Sequence, residues 1–347
     1  MWKIKDIEVN GNVVLAPMAG ITNIAYREFM KPFGVAVSYT EMVSDCGLIY
    51  KNQETYRYLE TSDLEHPVGI QLFGGSKETL LSAIEILENT KVSYDFIDIN
   101  LGCPVPKVTK QNAGSAWLKD EDALFDMMQA LVKKSKKPIT AKIRLGWDDE
   151  HINFKNVVKL LELAGVSMIA IHSRTKKAMY TGVAHHELLK GLKETMSVPL
   201  VISGDVFSLE DAIEIQKMTH ADAIMVARGG LGNPFLIRQI DHYYRTGEKF
   251  PPPSLKENLQ YLERHYLYLK KLKGEKVAIR ELRGIAPHYL KGHPYMKGFR
   301  YLLSAKMETE EDFYQILKEA EQKSRAEQKS SICFNECDLQ DFSKEGK

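Results

Sequence analysis

The sequence predicts an α/β fold, a (β/α)8 TIM barrel followed by a small all-helical C-terminal domain. Three observations carry that expectation. Eight short β-type apolar runs recur along the first 230 residues. Stretches with helical periodicity lie between them, at the ~30-residue spacing of a βα unit. The pattern then changes abruptly near Phe250.

The eight runs are Val13–Ala16, Val35–Tyr39, Val68–Leu72, Phe96–Asn100, Ile139–Ile143, Met168–Ile171, Leu200–Ser203 and Ala223–Ala227. Helical spacing marks Thr79–Glu88, Glu121–Lys133, Phe154–Ala164 and Leu209–Lys217, the last with Ser208 as N-cap. Eight alternating units favour a closed barrel over an open doubly wound sheet. The opening Trp2-to-Val14 stretch, with Asn10-Gly11-Asn12 as its turn, reads as a hairpin closing the barrel bottom. Pro251-Pro252-Pro253 is a stiff linker that no helix crosses. Beyond it Leu255–Leu272, Val277–Leu290 and Glu310–Lys329 have helical spacing. The expected division is a barrel over 1–248, a helical domain over 249–330 and a flexible tail over 331–347.

Composition narrows the class. With 347 residues, 44% hydrophobic and 27% charged, the chain has the make-up of an ordinary globular protein with a large core. No apolar run approaches the ~20 residues of a membrane span, and the start lacks a signal-peptide core. Cys46, Cys103, Cys333 and Cys337 are too few for a disulfide framework, so the expected location is the cytoplasm. Cys333 and Cys337 have no second ligand pair nearby, and no metal site is expected.

The chemistry-bearing residues fall at strand ends. The Phe96–Ile99 run breaks at Gly102 and Pro104, so Cys103 sits just past the C-terminal end of a strand, where barrel enzymes keep their catalytic groups. Inert packing is the alternative for a lone cysteine. Ala16-Pro17-Met18-Ala19-Gly20 lets something flat approach the backbone. Gln71 carries a donor and an acceptor, which suits the edge of a heterocycle; a buried amide serving nearby backbone is the other reading. Period-2 alternation puts Lys142 and Arg144 on one side of their strand, and two cations in a barrel mouth are costly unless an anion binds there. His172, followed by Tyr180, ends the sixth strand, where a histidine is as often structural as functional. Ser203-Gly204-Asp205 and Ala227-Arg228-Gly229-Gly230 end the seventh and eighth, the usual phosphate site of TIM barrels. A phosphate, a heterocycle edge and a lysine together point to FMN, with Lys142 facing the negative charge of reduced flavin.

Taken in order, Ala16-Pro17-Met18-Ala19-Gly20-Ile21-Thr22-Asn23, Gln71-Leu72-Phe73-Gly74, Asn100-Leu101-Gly102-Cys103-Pro104, Gly114-Ser115-Ala116, Lys142-Ile143-Arg144, His172-Ser173-Arg174-Thr175, Gly204-Asp205 and Tyr289-Leu290-Lys291-Gly292 resemble the tRNA-dihydrouridine synthase family, most closely its bacterial B-type branch. The resemblance implies reduction of the C5=C6 bond of selected tRNA uridines by FMN recharged with NADPH. It implies that Pro17, Met18, Ala19, Gln71, Lys142, Gly204, Asp205, Ala227 and Arg228 bind FMN, with His172 beside the flavin or its phosphate. Asn100, Arg144 and Tyr180 are implied to hold the uracil, and Cys103 to donate the proton. Read alone, a strand-end cysteine suggests a nucleophile. Opposite a flavin it must be an acid, and a thiol of pKa about 8.5 is mostly protonated near pH 7. Ser203 and Ala227 stand where many members have Asn and Gly, and Arg283-Gly284-Ile285 and His288-Tyr289 replace the family's Arg-Lys-His and Trp-Tyr. The first departure alters a cofactor contact; the last bears on which uridine is chosen.

The helical domain independently suggests RNA. From Arg264 to Lys306 there are eleven Lys/Arg opposed by Glu275 and Glu281, with Tyr261, Tyr266, Tyr268, Tyr289 and Tyr295 interleaved. Such a surface suits a phosphate backbone with unstacked bases, and Lys291, Lys297 and Arg300 are its candidate contacts. No membrane and no obligate protein partner are inferred. The competing readings are an FMN barrel acting on a free pyrimidine, as in a dihydroorotate dehydrogenase, the same reduction on ribosomal RNA, and an RNA-binding protein on a dead barrel.

Overall fold

The computed structural model describes the backbone of residues 1–341, with side chains described as far as residue 326. Eleven strands form among the described residues. A hairpin of β1 (Trp2–Ile4) and β2 (Ile7–Val9) precedes β3 (Val13–Leu15), β4 (Val35–Tyr39), β5 (Val43–Ser44) and β6 (Val68–Phe73). Then come β7 (Phe96–Leu101), β8 (Ile139–Arg144), β9 (Ile169–His172), β10 (Leu200–Ser203) and β11 (Ala223–Val226). Eight of them pair in parallel in the order β3-β4-β6-β7-β8-β9-β10-β11, and β11 returns to β3. That ring is the predicted barrel. The short β5 runs beside the end of β6, Val43 opposite Leu72.

The hairpin is present, but its turn is not Asn10-Gly11-Asn12. Trp2 pairs with Val9 and Ile4 with Ile7, so the chain reverses at Lys5-Asp6, with Lys5 at φ 54°. Asn10-Gly11-Asn12 is instead the step from β2 into the barrel. Trp2 and Ile4 cluster with Ala36, Phe96, Met168 and Ala223, residues at or near the strand starts. The hairpin therefore plugs the N-terminal end of the barrel and leaves the opposite end for chemistry.

Helices Lys77–Glu88, Glu121–Lys134, Phe154–Leu163 and Leu209–Thr219 lie where the periodicity placed them, and Ser208 and Asp211 form a capping box. Between β9 and β10 only two 3-10 turns appear, His186–Leu189 and Lys193–Thr195. The chain divides into one compact unit of Met1–Gly230 with Phe235–Phe250 and a second of Leu231–Pro234 with Pro251–Lys347. In the second, Ser254 and Glu257 cap the helix Leu255–Lys273. The expected Val277–Leu290 helix is two, Glu275–Leu282 and Ala286–Tyr289, interrupted around Gly284. A helix at Lys297–Ala305 follows, and the last runs over Glu310–Asp341. The side chains of Cys333 and Cys337, and the last residues of the expected tail, lie outside the described residues. No described helix is long and apolar enough to cross a membrane, and no described cluster of His, Cys, Asp or Glu could hold a metal ion.

Inside the barrel, Phe96 lies edge-on to Tyr39, with ring centroids 5.5 Å apart. Its ring occupies the space a side chain at Gly69 would need, since a Cβ there would lie 2.2 Å from a ring carbon. Gly69→Ala is expected to cost about 1–3 kcal/mol of unfolding free energy through overpacking, read from the urea midpoint.

Candidate active site

Strand register stacks the inward-facing polar residues in layers. Gln71 is level with Asp98, and Asp98 with Thr140. Two residues further along the strands, Asn100 is level with Lys142. Arg144, His172 and Ser203 share the layer at the mouth. Most of these stand out in the sequence, whereas Asp98 is a lone carboxylate in an otherwise apolar run. Asp98 is fully buried and accepts from Thr140 Oγ1 at 2.6 Å and Gln71 Nε2 at 2.7 Å. Burial lifts its carboxyl to about 6, against the pull of Thr140, Gln71 and Lys142.

Gln71 Oε1 in turn accepts from Asn100 Nδ2 at 2.8 Å, and the same nitrogen lies 3.0 Å from Met42 Sδ. Asn100 Oδ1 accepts from the backbone N–H of Gly102 at 3.1 Å and of Cys103 at 2.8 Å. The loop carrying Cys103 is thus held by its own strand end. From the other side, Ser115 donates to the Cys103 carbonyl through its N–H at 3.2 Å and its hydroxyl at 2.8 Å. Gly114, at φ 62°, allows that approach, since a Cβ there would lie 2.8 Å from the Cys103 oxygen. Cys103 itself is 9% exposed and packs with Val108, Ala113, Met42 and Phe73. Burial raises its thiol pKa, outweighing the Val105 N–H and the cations Arg144 and Lys142. The thiol keeps its proton at neutral pH.

Positive charge converges above this layer. Lys142 is partly buried, and among the described residues no hydrogen bond or ion pair holds its ammonium. Burial and then Arg144 lower its pKa to about 8, against Asp98 and Cys103. Arg144 is buried, and three of its five donors go to carbonyls: Nε to Gly102 at 2.8 Å, Nη1 to Thr175 and Met179 at 2.8 Å each. The expectation that Arg144 needs a bound anion to be tolerated is corrected here, because backbone carbonyls meet that need. For Lys142 no such partner is found among the described residues. His172 is held well below the usual histidine range by burial and by Lys142, Arg144, Arg174 and Arg228, and is neutral.

Asp205, at φ 46°, pairs with both nitrogens of buried Arg174, at 2.9 and 2.5 Å, and with Arg228 Nη2 at 3.2 Å. Its carboxylate therefore fixes two guanidinium groups; Arg174 was seen in its motif but given no role. Gly204, at φ 123°, lies so close to Ala184 and His172 that a Cβ would meet them at 2.9 and 3.0 Å. Tyr180, 52% exposed, has Arg144 5.4 Å and Arg228 5.2 Å from its ring centre, and His172 beside it at 6.3 Å. Ser203 is buried at the strand end and Ala227 packs on the interior cluster. Pro17 and Met18 are partly buried, Ala19 exposed, in a turn tied by Met18 N–H to Thr22 Oγ1 at 2.9 Å and by Gly20 N–H to Glu41.

In the helical unit Lys291, Lys297 and Arg300 are exposed, as are Tyr295 and Tyr301. The expected tyrosine-studded surface is smaller than the sequence suggested. Tyr266 and Tyr289 are fully buried, Tyr266 against Phe313 and Tyr289 with its hydroxyl 3.0 Å from His265 Nδ1. Lys270 pairs with Glu275 and Glu310, and Lys273 with Glu281, so those cations are locally neutralised.

An uncompensated Lys142 makes a signed prediction. Its pKa of about 8, below the ordinary 10.5, means a stability penalty that is complete below pH 8 and relieved between about 8 and 10.5. In protein stripped of bound small molecules, Lys142→Met is expected to raise unfolding free energy at pH 7 by about 1–3 kcal/mol, and by less at pH 10. Urea unfolding at both values checks this; a destabilised variant at pH 7 would show the ammonium to be compensated.

A family model described as dihydrouridine synthase matches residues 14–328. A Rickettsia bellii protein described as "Probable tRNA-dihydrouridine synthase" is 34% identical over 301 residues, covering 86% of this chain and 92% of that protein. The tRNA-dihydrouridine synthase B of Pseudomonas putida is 34% identical over 309 residues, covering 89% and 91%. Among solved structures, a 2-naphthoyl-CoA reductase complex shares the fold at a TM-score of 0.53 and 10% identity, over 69% of this chain and 51% of that one. The chain belongs to the dihydrouridine synthase family of oxidoreductases, near the members called tRNA-dihydrouridine synthase B.

Proposed function

We propose that this enzyme reduces the C5=C6 bond of particular uridines in tRNA to 5,6-dihydrouridine, with FMN as cofactor, NADPH as reductant and Cys103 as proton donor. The observation that carries the reading is a buried thiol and a lysine ammonium with no hydrogen bond or ion pair among the described residues, at the same end of neighbouring strands. A thiol kept neutral can give a proton, and an ammonium without a partner is suited to an anionic ring or phosphate.

The residues present fit FMN. Lys142, Gln71 and the Pro17-Met18-Ala19 turn would face its ring system. His172, Ser203, Gly204, Ala227 and Arg228 would hold its phosphate end, with Asp205 keeping Arg228 in place through their ion pair. Bound there and reduced, FMN would supply the hydride required at uracil C6. Charge then builds on C5 and O4 of the base, and Cys103 delivers the proton to C5. Arg144, which also hydrogen-bonds Tyr180, and the exposed Tyr180 ring are assigned to the uracil, which must leave the RNA stack to reach the barrel mouth. Lys291, Lys297 and Arg300 contribute phosphate contacts from the helical unit.

Cys103→Ala is expected to retain flavin, and its reduction by NADPH, while losing about 10²–10⁴-fold of dihydrouridine formation. Turnover at the wild-type rate would assign the acid to another group. Because burial raises the thiol pKa, the alkaline limb of the wild-type pH profile should lie above the pH at which an ordinary cysteine ionises. Neutralising Lys291, Lys297 and Arg300 together should reduce the slope of log K against log salt for tRNA by about two to three. An unchanged slope would place the RNA contacts elsewhere.

A further inference from the structure

We infer that Arg174 is a positioning residue: paired with Asp205, it holds the exposed stretch over residues 181–184 and so sets where the Tyr180 ring stands at the barrel mouth. That Tyr180 meets the uracil rests on the proposed function; the positioning of its loop does not.

The loop after β9 has little burial to hold it. Met179, Tyr180 and Val183 are exposed, and so are Thr181 and Gly182. Hydrogen bonds must therefore fix it, and they come in two sets, one on each side of Tyr180. Ahead of the ring, Arg144 Nη1 donates to the carbonyls of Thr175 and Met179, and the Lys176 and Lys177 N–H groups donate to the carbonyls of Gly146 and Trp147 at 2.9 Å each. Beyond it, Arg174 Nε donates to the Thr181 carbonyl at 3.1 Å and Nη2 to the Gly182 carbonyl at 2.8 Å. The Ala184 N–H donates to Asp205 Oδ2 at 2.9 Å. The residues immediately before and after Tyr180 are thus each held by a buried guanidinium.

Arg174 commits four of its five donors, two to these carbonyls and two to the Asp205 carboxylate. A buried guanidinium adds little stability over an apolar side chain of similar volume. Its rigid fork supplies what an apolar chain cannot, a fixed direction for two loop carbonyls relative to Asp205. Asp205 Oδ1 also accepts from Arg228, whose guanidinium lies 5.2 Å from the Tyr180 ring centre. One carboxylate therefore ties the far side of the loop to a cation beside the ring that the loop carries.

Chymotryptic cleavage after Tyr180 in the full-length, FMN-loaded protein without RNA reads the order of this loop apart from any turnover. Arg174→Met should speed that cleavage by about tenfold, while cleavage after the exposed Tyr50 stays within about twofold of wild type. In turnover, Arg174→Met should lower kcat/KM for tRNA by about tenfold in wild type but by no more than about twofold in a Tyr180→Ala background, because the ring it places is already gone. Wild-type cleavage after Tyr180, an equal rise at Tyr50, or an equal loss of kcat/KM in both backgrounds would overturn the inference. Should Arg174→Met not fold, Asp205→Asn weakens the same clamp and takes its place in the cleavage measurement, with the same results expected and the same ones contradicting. A wild-type enzyme that formed no dihydrouridine would remove the proposed function, and cleavage after Tyr180 would still decide the positioning.

Discussion

Uncompensated positive charge at the C-terminal end of the barrel is the constraint that the surrounding structure serves. Lys142, Arg144, Arg174 and Arg228 converge there with a neutral His172. Arg144 is made tolerable by three backbone carbonyls and Arg174 by Asp205 and two more, at Thr181 and Gly182. Those bonds fix the loops after β7, β9 and β10. Among the described residues no hydrogen bond or ion pair holds the Lys142 ammonium, and on the proposed reading that cost is retained for an anionic ligand.

The same field acts on the Cys103 thiol. A thiol beside cations ordinarily ionises more easily, which would make Cys103 a nucleophile. Here burial among Val108, Ala113, Met42 and Phe73 wins, and the thiol stays protonated despite Arg144 and Lys142. An anionic group bound at Lys142 would weaken the opposing pull further.

The barrel was legible because each buried parallel strand is a short apolar run, and period 2 correctly set Lys142 and Arg144 on one side. Turn chemistry misled at the N-terminus: Asn10-Gly11-Asn12 looks like a better turn than Lys5-Asp6, but the Trp2–Val9 register decides. Helices Pro234–Thr246 and Lys297–Ala305 were not anticipated, although Pro234 at a first helical position is a start signal. Tyr266 and Tyr289 counted as surface aromatics because a tyrosine suits a core or an RNA face equally well. Asp98 was invisible for a different reason. A lone carboxylate in an apolar strand acquires meaning only when the register brings Gln71 and Thr140 to it.

The most direct measurement is dihydrouridine formation by the purified, FMN-loaded protein with NADPH, acting on the tRNA pool of cells lacking its gene. Mass spectrometry of nucleosides and of mapped fragments should show uridine converted to dihydrouridine at particular tRNA positions, with conversion lost in Cys103→Ala. A protein that takes up FMN and oxidises NADPH yet forms no dihydrouridine in any tRNA would contradict the assignment.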